Sequence, residues 1–213
     1  MPIIANPMAY AAFSYLGVAV FAATGALAAA RKDHDVVTFI FFAAVTGVGG
    51  GTIRDLLLDV PPFWILDPMP LVISVVVGAA VWLLGHSRWH EPVLLWLDAV
   101  GLAAFAVLGA AKSAALGHPA PVSLVMGVLT ASAGGIIRDV VAGEPSIMVR
   151  REIYVTAATV AAGAFLLLTP FIGQAPAGAI GFVAGLGLRA GALAFGWALP
   201  PFTGGLLARL RRP

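Results

Sequence analysis

Apolar and polar positions divide the chain into seven long hydrophobic stretches, at about 9–30, 36–58, 70–84, 94–116, 121–142, 153–168 and 175–199. The breaks between them are short. Arg31-Lys32-Asp33-His34-Asp35 ends the first stretch, Pro61-Pro62 closes the second, and His86-Ser87-Arg88-Trp89-His90-Glu91 follows the third. Thr169-Pro170 ends the sixth, and Pro200-Pro201 ends the seventh. A helix needs roughly 20 apolar residues to cross a hydrocarbon core. Most of the stretches reach or approach that length, and the third and sixth are short. The pattern predicts an all-α membrane protein with seven transmembrane helices.

Composition strengthens this reading. Of 213 residues, 61% are hydrophobic and only 10% charged, and the mean hydropathy is +1.00. Soluble domains average about 45–50% apolar and about 25% charged residues, so one soluble core cannot hide this excess. The formal net charge of +2 is small, and no basic run points to nucleic acid. There is no cysteine, which removes disulfides and thiolate metal sites. No Lys or Arg precedes the first apolar stretch, unlike a cleaved secretory signal, so that stretch is expected to be a retained span.

Charge also predicts orientation. Arg31, Lys32, Arg88, Arg150, Arg151, Arg209, Arg211 and Arg212 all follow spans one, three, five or seven. The positive-inside rule then puts the C-terminus in the cytoplasm and the N-terminus outside, in a multi-pass protein of the inner (plasma) membrane. Trp64, Trp82, Trp89, Trp96 and Trp197 fall near span ends, where amphipathic rings belong.

The second span carries Gly49-Gly50-Gly51-Thr52-Ile53-Arg54-Asp55, and the fifth carries Ala133-Gly134-Gly135-Ile136-Ile137-Arg138-Asp139. An ungapped shift of 84 residues aligns these motifs. It also aligns Gly17 with Gly101, Phe21 with Phe105, Gly25 with Gly109, Thr46 with Thr130 and Pro61 with Pro145. The expected units are 1–92 (first three-helix repeat), 93–174 (second repeat) and 175–213 (seventh helix and basic tail). Three spans per repeat is an odd number, so the second copy crosses the membrane in the opposite sense. Inverted repeats of this kind place a polar site at their interface near the bilayer midplane.

Candidate chemistry follows from the duplication. Glycine loosens a helix by about 1 kcal/mol relative to alanine and permits unusual backbone angles. Gly49, Gly50, Gly51, Gly134 and Gly135 are therefore expected to kink helices two and five beside a water-filled path, where carbonyls can replace part of a cation's hydration. The competing role is close helix packing. Thr46, Thr130 and Ser132 offer hydroxyls to the path, or bond back to their own helix carbonyls. Arg54, Asp55, Arg138 and Asp139 are candidate charged pore or gate residues. Adjacent helix residues point about 100° apart, so each Arg need not pair with its own Asp, and pairing across the repeats is open. Lys112 has Ala28 as its counterpart and breaks the symmetry. It is read as a gate or as a helix-end lysine reaching for water. Arg189 calls for an acidic group or a carbonyl inside a protein interface. Asp98, early in span four, is a lesser candidate for a polar lining, and equally a solvated helix end. The four histidines lie in connections or at span ends, with no metal set, and no catalytic constellation or cofactor motif stands out. Val48-Gly49-Gly50-Gly51 lacks the elements of a nucleotide loop.

The three-plus-three-plus-one layout, with Gly49-Gly50-Gly51 and Arg54-Asp55 answered by Gly134-Gly135 and Arg138-Asp139, resembles the prokaryotic members of the trimeric intracellular cation (TRIC) channel family. The same motif is found in bacterial proteins labelled glycine transporters. The resemblance covers nearly the whole chain. It implies a homotrimer in the lipid bilayer, a pore in each protomer bounded by kinked spans two and five, and conduction of potassium or other monovalent cations. Lys112 would match a basic position in span four. Ala133 replaces the counterpart of Gly49, which stiffens the second kink. Cation passage requires Asp55, Asp139 and carbonyls to outweigh Arg54, Arg138 and Lys112, or those bases to point aside or gate. The alternative is a secondary transporter of a small solute such as glycine.

Overall fold

The computed structural model describes residues 7–32, 34–84, 91–147 and 153–199. His86, Arg88, Trp89, His90, Arg150, Arg151, Arg209, Arg211 and Arg212, which entered the readings above, lie outside the described residues. Eight helices occur among the described residues: α1 (Pro7–Ala30), α2 (Val36–Leu57), α3 (Phe63–Leu66), α4 (Met69–Leu84), α5 (Glu91–Ala115), α6 (Ala120–Ala142), α7 (Val155–Ile172) and α8 (Gln174–Phe195). Seven match the expected stretches, and α3 is an additional single turn. Six are long and apolar enough to cross a membrane, while α4 is a shorter apolar helix of 16 residues.

Local chemistry explains the ends. Asp35 caps α2 by accepting the Thr38 N–H at 2.8 Å, and this bond holds its carboxylate below the ordinary range. Gly143 and Gly196 close α6 and α8 in the left-handed region, at φ 66° and 68°. Two expected stops differ. α7 runs through Thr169-Pro170 to Ile172, and Gly173 at φ 82° ends it. α8 stops at Gly196, before Pro200-Pro201, because the left-handed glycine cap acts first.

The helices pack as two similar sets. α1, α2 and α4 pack against one another, as do α5, α6 and α7, and the sets meet through α2 against α6 and α1 against α5. α8 lies against α7 and α5. On the central contact, Phe21 and Phe105 stack with ring centroids 5.1 Å apart. Polarity is inverted relative to a soluble protein. Arg54, Asp55, Asp98, Arg138, Asp139 and Arg189 are buried, whereas Leu56, Leu57, Leu167, Phe171 and Val183 face outward. Lipid solvates the apolar exterior, and charge is kept where protein groups can pair it.

Candidate functional site

The two helices carrying the duplicated motif cross at their glycines. A Cβ at Gly50 would collide with the carbonyl oxygen of Thr130, and one at Gly134 would lie 2.5 Å from that of Thr46. These contacts are reciprocal under the 84-residue shift. They pair rising positions of α2 with falling positions of α6, so the helices run antiparallel through the crossing. Flanking contacts repeat the relation. Gly25 abuts the Phe42 carbonyl and Gly109 the Met126 carbonyl, while Gly17 and Gly101 receive Phe105 and Phe21. Helical structure is unbroken through both glycine runs. Close backbone approach is what Gly50 and Gly134 visibly permit.

Beside the crossing, each copy builds the same lock. Arg54 Nε donates to Asp55 Oδ1 at 2.8 Å, and Arg138 Nε donates to Asp139 Oδ1 at 2.9 Å. The other carboxylate oxygens accept backbone N–H groups eight residues on, from Phe63 and Ile147, both at 2.9 Å. Each Arg therefore does pair with its own Asp, because the long guanidinium arm folds back over the turn. Each Asp also ties its helix end to the segment that follows. Phe63 and Ile147 bond through their amides, which leave no mark in sequence beyond their position in the repeat.

The copies then diverge. Lys112 Nζ reaches across the repeats to Asp55 Oδ1 at 2.7 Å, with its side chain 22% exposed. Asp55 thus serves two cations, and Arg54 also lies over the Phe63 ring at 5.9 Å. In the second copy, Arg138 Nη1 reaches Asp98 Oδ1 at 2.9 Å and Thr24 Oγ1 at 3.0 Å. Under the 84-residue shift, Asp98 corresponds to Ser14, Thr24 to Leu108 and Lys112 to Ala28. Asp98 is thus the partner of a buried cation, not a solvated helix end. Arg189 lies over the Tyr154 ring at 5.2 Å. Thr130 and Ser132 bond back to the carbonyls of Met126 and Val128, while the buried Thr46 hydroxyl has no partner among the described residues.

Two cavities flank the crossing at opposite ends of α1. The first, of about 180 Å³, is lined by Tyr10, Ser14, Arg54, Phe63 and Lys112. The second is narrow, about 20 Å³, and is lined by Ala28, Arg31, Glu91, Asp139, Glu144 and Ile147. Under the repeat shift, Phe63 corresponds to Ile147, Lys112 to Ala28 and Ala115 to Arg31, so these are the same recess in each copy. Lys32 bonds the Ala142 carbonyl and pairs with Glu144 at 3.4 Å, beside the second recess. The sequence pointed to the Arg-Asp pairs and Lys112 but missed Tyr10, Ser14, Thr24 and Tyr154, whose residue types are ordinary inside apolar helices.

Comparison with known proteins gives three findings. The family described as "Glycine transporter" matches twice, over residues 11–86 and 95–170, at the same 84-residue offset. The UPF0126 inner membrane protein YadS of Escherichia coli is 42% identical over 148 residues, covering 67% of this chain and 70% of that protein. A UPF0126 membrane protein of Vibrio cholerae is 37% identical over 194 residues, covering 87% and 80%. Among solved structures, the TRIC trimeric intracellular cation channel orthologue from Rhodobacter sphaeroides superposes with a TM-score of 0.85 at 41% identity, covering 89% of this chain and 99% of that one. A prokaryotic TRIC channel solved in 0.5 M KCl gives a TM-score of 0.83 at 25% identity, covering 91% and 100%.

Proposed function

Because this multi-pass membrane protein belongs to the family described as "Glycine transporter" and shares its fold with TRIC cation channels, we propose that it is a passive channel for monovalent cations, chiefly potassium. The carrying observation is the α2–α6 crossing, with related recesses entering from its two ends. Seven spans form an inverted three-plus-three repeat plus α8, over units 1–92, 93–174 and 175–213. The reciprocal, antiparallel contacts at Gly50 and Gly134 support that arrangement.

In this reading ions pass through each protomer of a homotrimer, along the seam of α2 and α6. Both helices bend at Gly49, Gly50, Gly51, Gly134 and Gly135 without unwinding. Thr46, Thr130 and Ser132 stand one turn from the constriction, and the free Thr46 hydroxyl can turn toward a passing ion. Asp55 and Asp139 offset Arg54 and Arg138, so the bases do not present bare charge to the path. Lys112 is the gate, held on Asp55. The N-terminus lies outside and the C-terminus in the cytoplasm.

Single-channel recording of the purified protein in planar bilayers, under opposed potassium and chloride gradients, tests the proposal. The reversal potential is expected to follow potassium, and one that follows chloride overturns it. The family's description supports a second reading, a secondary transporter of glycine. Saturable, ion-coupled uptake of labelled glycine into liposomes, without passive potassium flux, would establish that reading instead.

A further inference from the structure

Gly51 and Gly135 are equivalent under the 84-residue shift, yet they receive different groups. A Cβ at Gly51 would lie 2.5 Å from Phe63 Cε1, and its next two neighbours are Cδ1 and Cζ of the same ring. The ring edge occupies the volume that a side chain would fill at residue 51. A Cβ at Gly135 would instead lie 3.1 Å from the Tyr154 hydroxyl, 3.4 Å from Asp98 Oδ1 and 3.5 Å from Arg138 Nη2. Polar groups of the second lock take that notch. Ile147, the counterpart of Phe63, lines the second recess and is 4% exposed. The recess beside the ring-filled notch has about 180 Å³, and the one beside the polar notch about 20 Å³.

Phe63 is held at its backbone and free to turn at its side chain. Its amide is bound to Asp55 Oδ2 at 2.9 Å, Trp64 Nε1 donates to Thr52 Oγ1 at 2.8 Å, and the Tyr15 hydroxyl donates to Asp67 Oδ2 at 2.5 Å. These bonds tie α3 and its flanks to α2 and α1. The ring meets the Gly51 backbone on one side and lines the first recess, with the Arg54 guanidinium 5.9 Å from its centroid. A turn about χ1 to another staggered position carries the ring off the notch, and the recess is the adjoining space that can receive it.

We infer that Phe63 is a valve for the first recess, and that Gly51 is the seat that holds it open. Seated on the glycine, the ring leaves the recess clear. Unseated, it enters the space among Tyr10, Ser14 and Lys112 and displaces water from it. An apolar ring in that space opposes the passage of a hydrated ion by dewetting. The valve's effect on cations rests on the channel reading, and its effect on the recess does not.

The chain has no cysteine, so Ser14→Cys places a single thiol on the wall of the first recess. Its rate of modification by neutral methyl methanethiosulfonate, in the full chain in detergent, reports access to that recess. Adding Gly51→Ala is expected to slow the reaction about fivefold or more, because a clash of about 1–3 kcal/mol against the seated ring shifts its position by at least that factor. Adding Phe63→Ala as well is expected to restore the rate, since no ring is left to unseat. Should Gly51→Ala prevent folding, Phe63→Trp, larger than the ring the seat now holds, is expected to slow the reaction in its place. In planar bilayers, Gly51→Ala should lower the unitary potassium current and Phe63→Ala should again restore it. An unchanged thiol rate in either folded variant overturns the inference. So does a slowed rate in Gly51→Ala that Phe63→Ala fails to restore, because the glycine would then shape the backbone and not seat the ring. The expected thiol rates without cation current from any variant, the wild type included, keep the valve and overturn the channel reading.

Discussion

Arg138 and Asp98 form an ion pair between α6 and α5 at 2.9 Å, with both side chains fully buried. The same guanidinium also holds Asp139 and the hydroxyl of Thr24. Arg54, its counterpart in the other copy, lines a recess with Ser14 and, among the described residues, leans on Asp55 alone for a carboxylate. One copy of the duplicated motif gains a second carboxylate, Asp98, and the other gains a second cation, Lys112. Duplication supplied the lock, and a few later exchanges made the copies unequal.

Removing the carboxylate from this pair should be severe. Breaking a buried ion pair by deleting one partner typically costs about 3–5 kcal/mol, because the remaining charge stays desolvated. Asp98→Ala is therefore expected to lower the thermal midpoint in detergent by about 6 °C or more, given about 2–4 °C per kcal/mol at this chain length. Asp98→Asn, which keeps an oxygen acceptor, should lose less. Equal midpoints for the wild type and Asp98→Ala would show that Arg138 has another adequate partner.

The glycine triplet can be dissected by neighbouring substitutions. At Gly50 a methyl group meets backbone, the Thr130 carbonyl, which cannot move without shifting α6. At Gly49 its nearest neighbour is Ile137 Cδ1, the tip of a flexible side chain, at 3.0 Å. Overpacking a tight contact costs about 1–3 kcal/mol. Gly50→Ala should therefore fall at the upper end of that range in thermal unfolding, and Gly49→Ala near zero or slightly stabilising through helix propensity. If both changes cost the same, close approach is not what the triplet serves.

Much of this was legible in the chain. Long apolar stretches gave seven of the eight helices, because in lipid the backbone must satisfy its own hydrogen bonds and only long helices do so. The 84-residue register located the crossing and the Arg-Asp locks, since charge inside apolar runs stands out. What escaped has physical reasons. α3 is a single turn with no periodicity, held by the bond from the Phe63 amide to Asp55, and amides look alike in every residue. Thr24 reads as an ordinary helix residue until Arg138 is seen against it. Pro170 reads as a stop, but Gly173, three residues later at φ 82°, sets the end of α7.

The Lys32–Glu144 contact should behave differently from the buried locks. Its side chains are 40% and 43% exposed, so water screens the pair. Exposed pairs couple by about 0.2–1 kcal/mol. A double-mutant cycle with Lys32→Met and Glu144→Gln should give a coupling in that range, shrinking in 1 M salt. Lys32→Met alone should cost more than Glu144→Gln, because Lys32 also bonds the Ala142 carbonyl at the end of α6. A coupling above about 2 kcal/mol would mean that the pair is desolvated in the assembled protein.

Restoring symmetry by one substitution tests whether ions pass the first recess. Ser14 lines the first recess and occupies the position that Asp98 holds in the other copy. Ser14→Asp would set a carboxylate in the same recess as Arg54 and Lys112, where water can solvate it if no close pair forms. One added negative charge about 6 Å from the ion path should raise local cation concentration about threefold in dilute salt. Unitary potassium conductance at 50 mM KCl should rise accordingly, with little change at 1 M, where the Debye length is about 3 Å. An unchanged conductance at low salt, in protein with wild-type thermal stability, would mean that ions do not pass this recess.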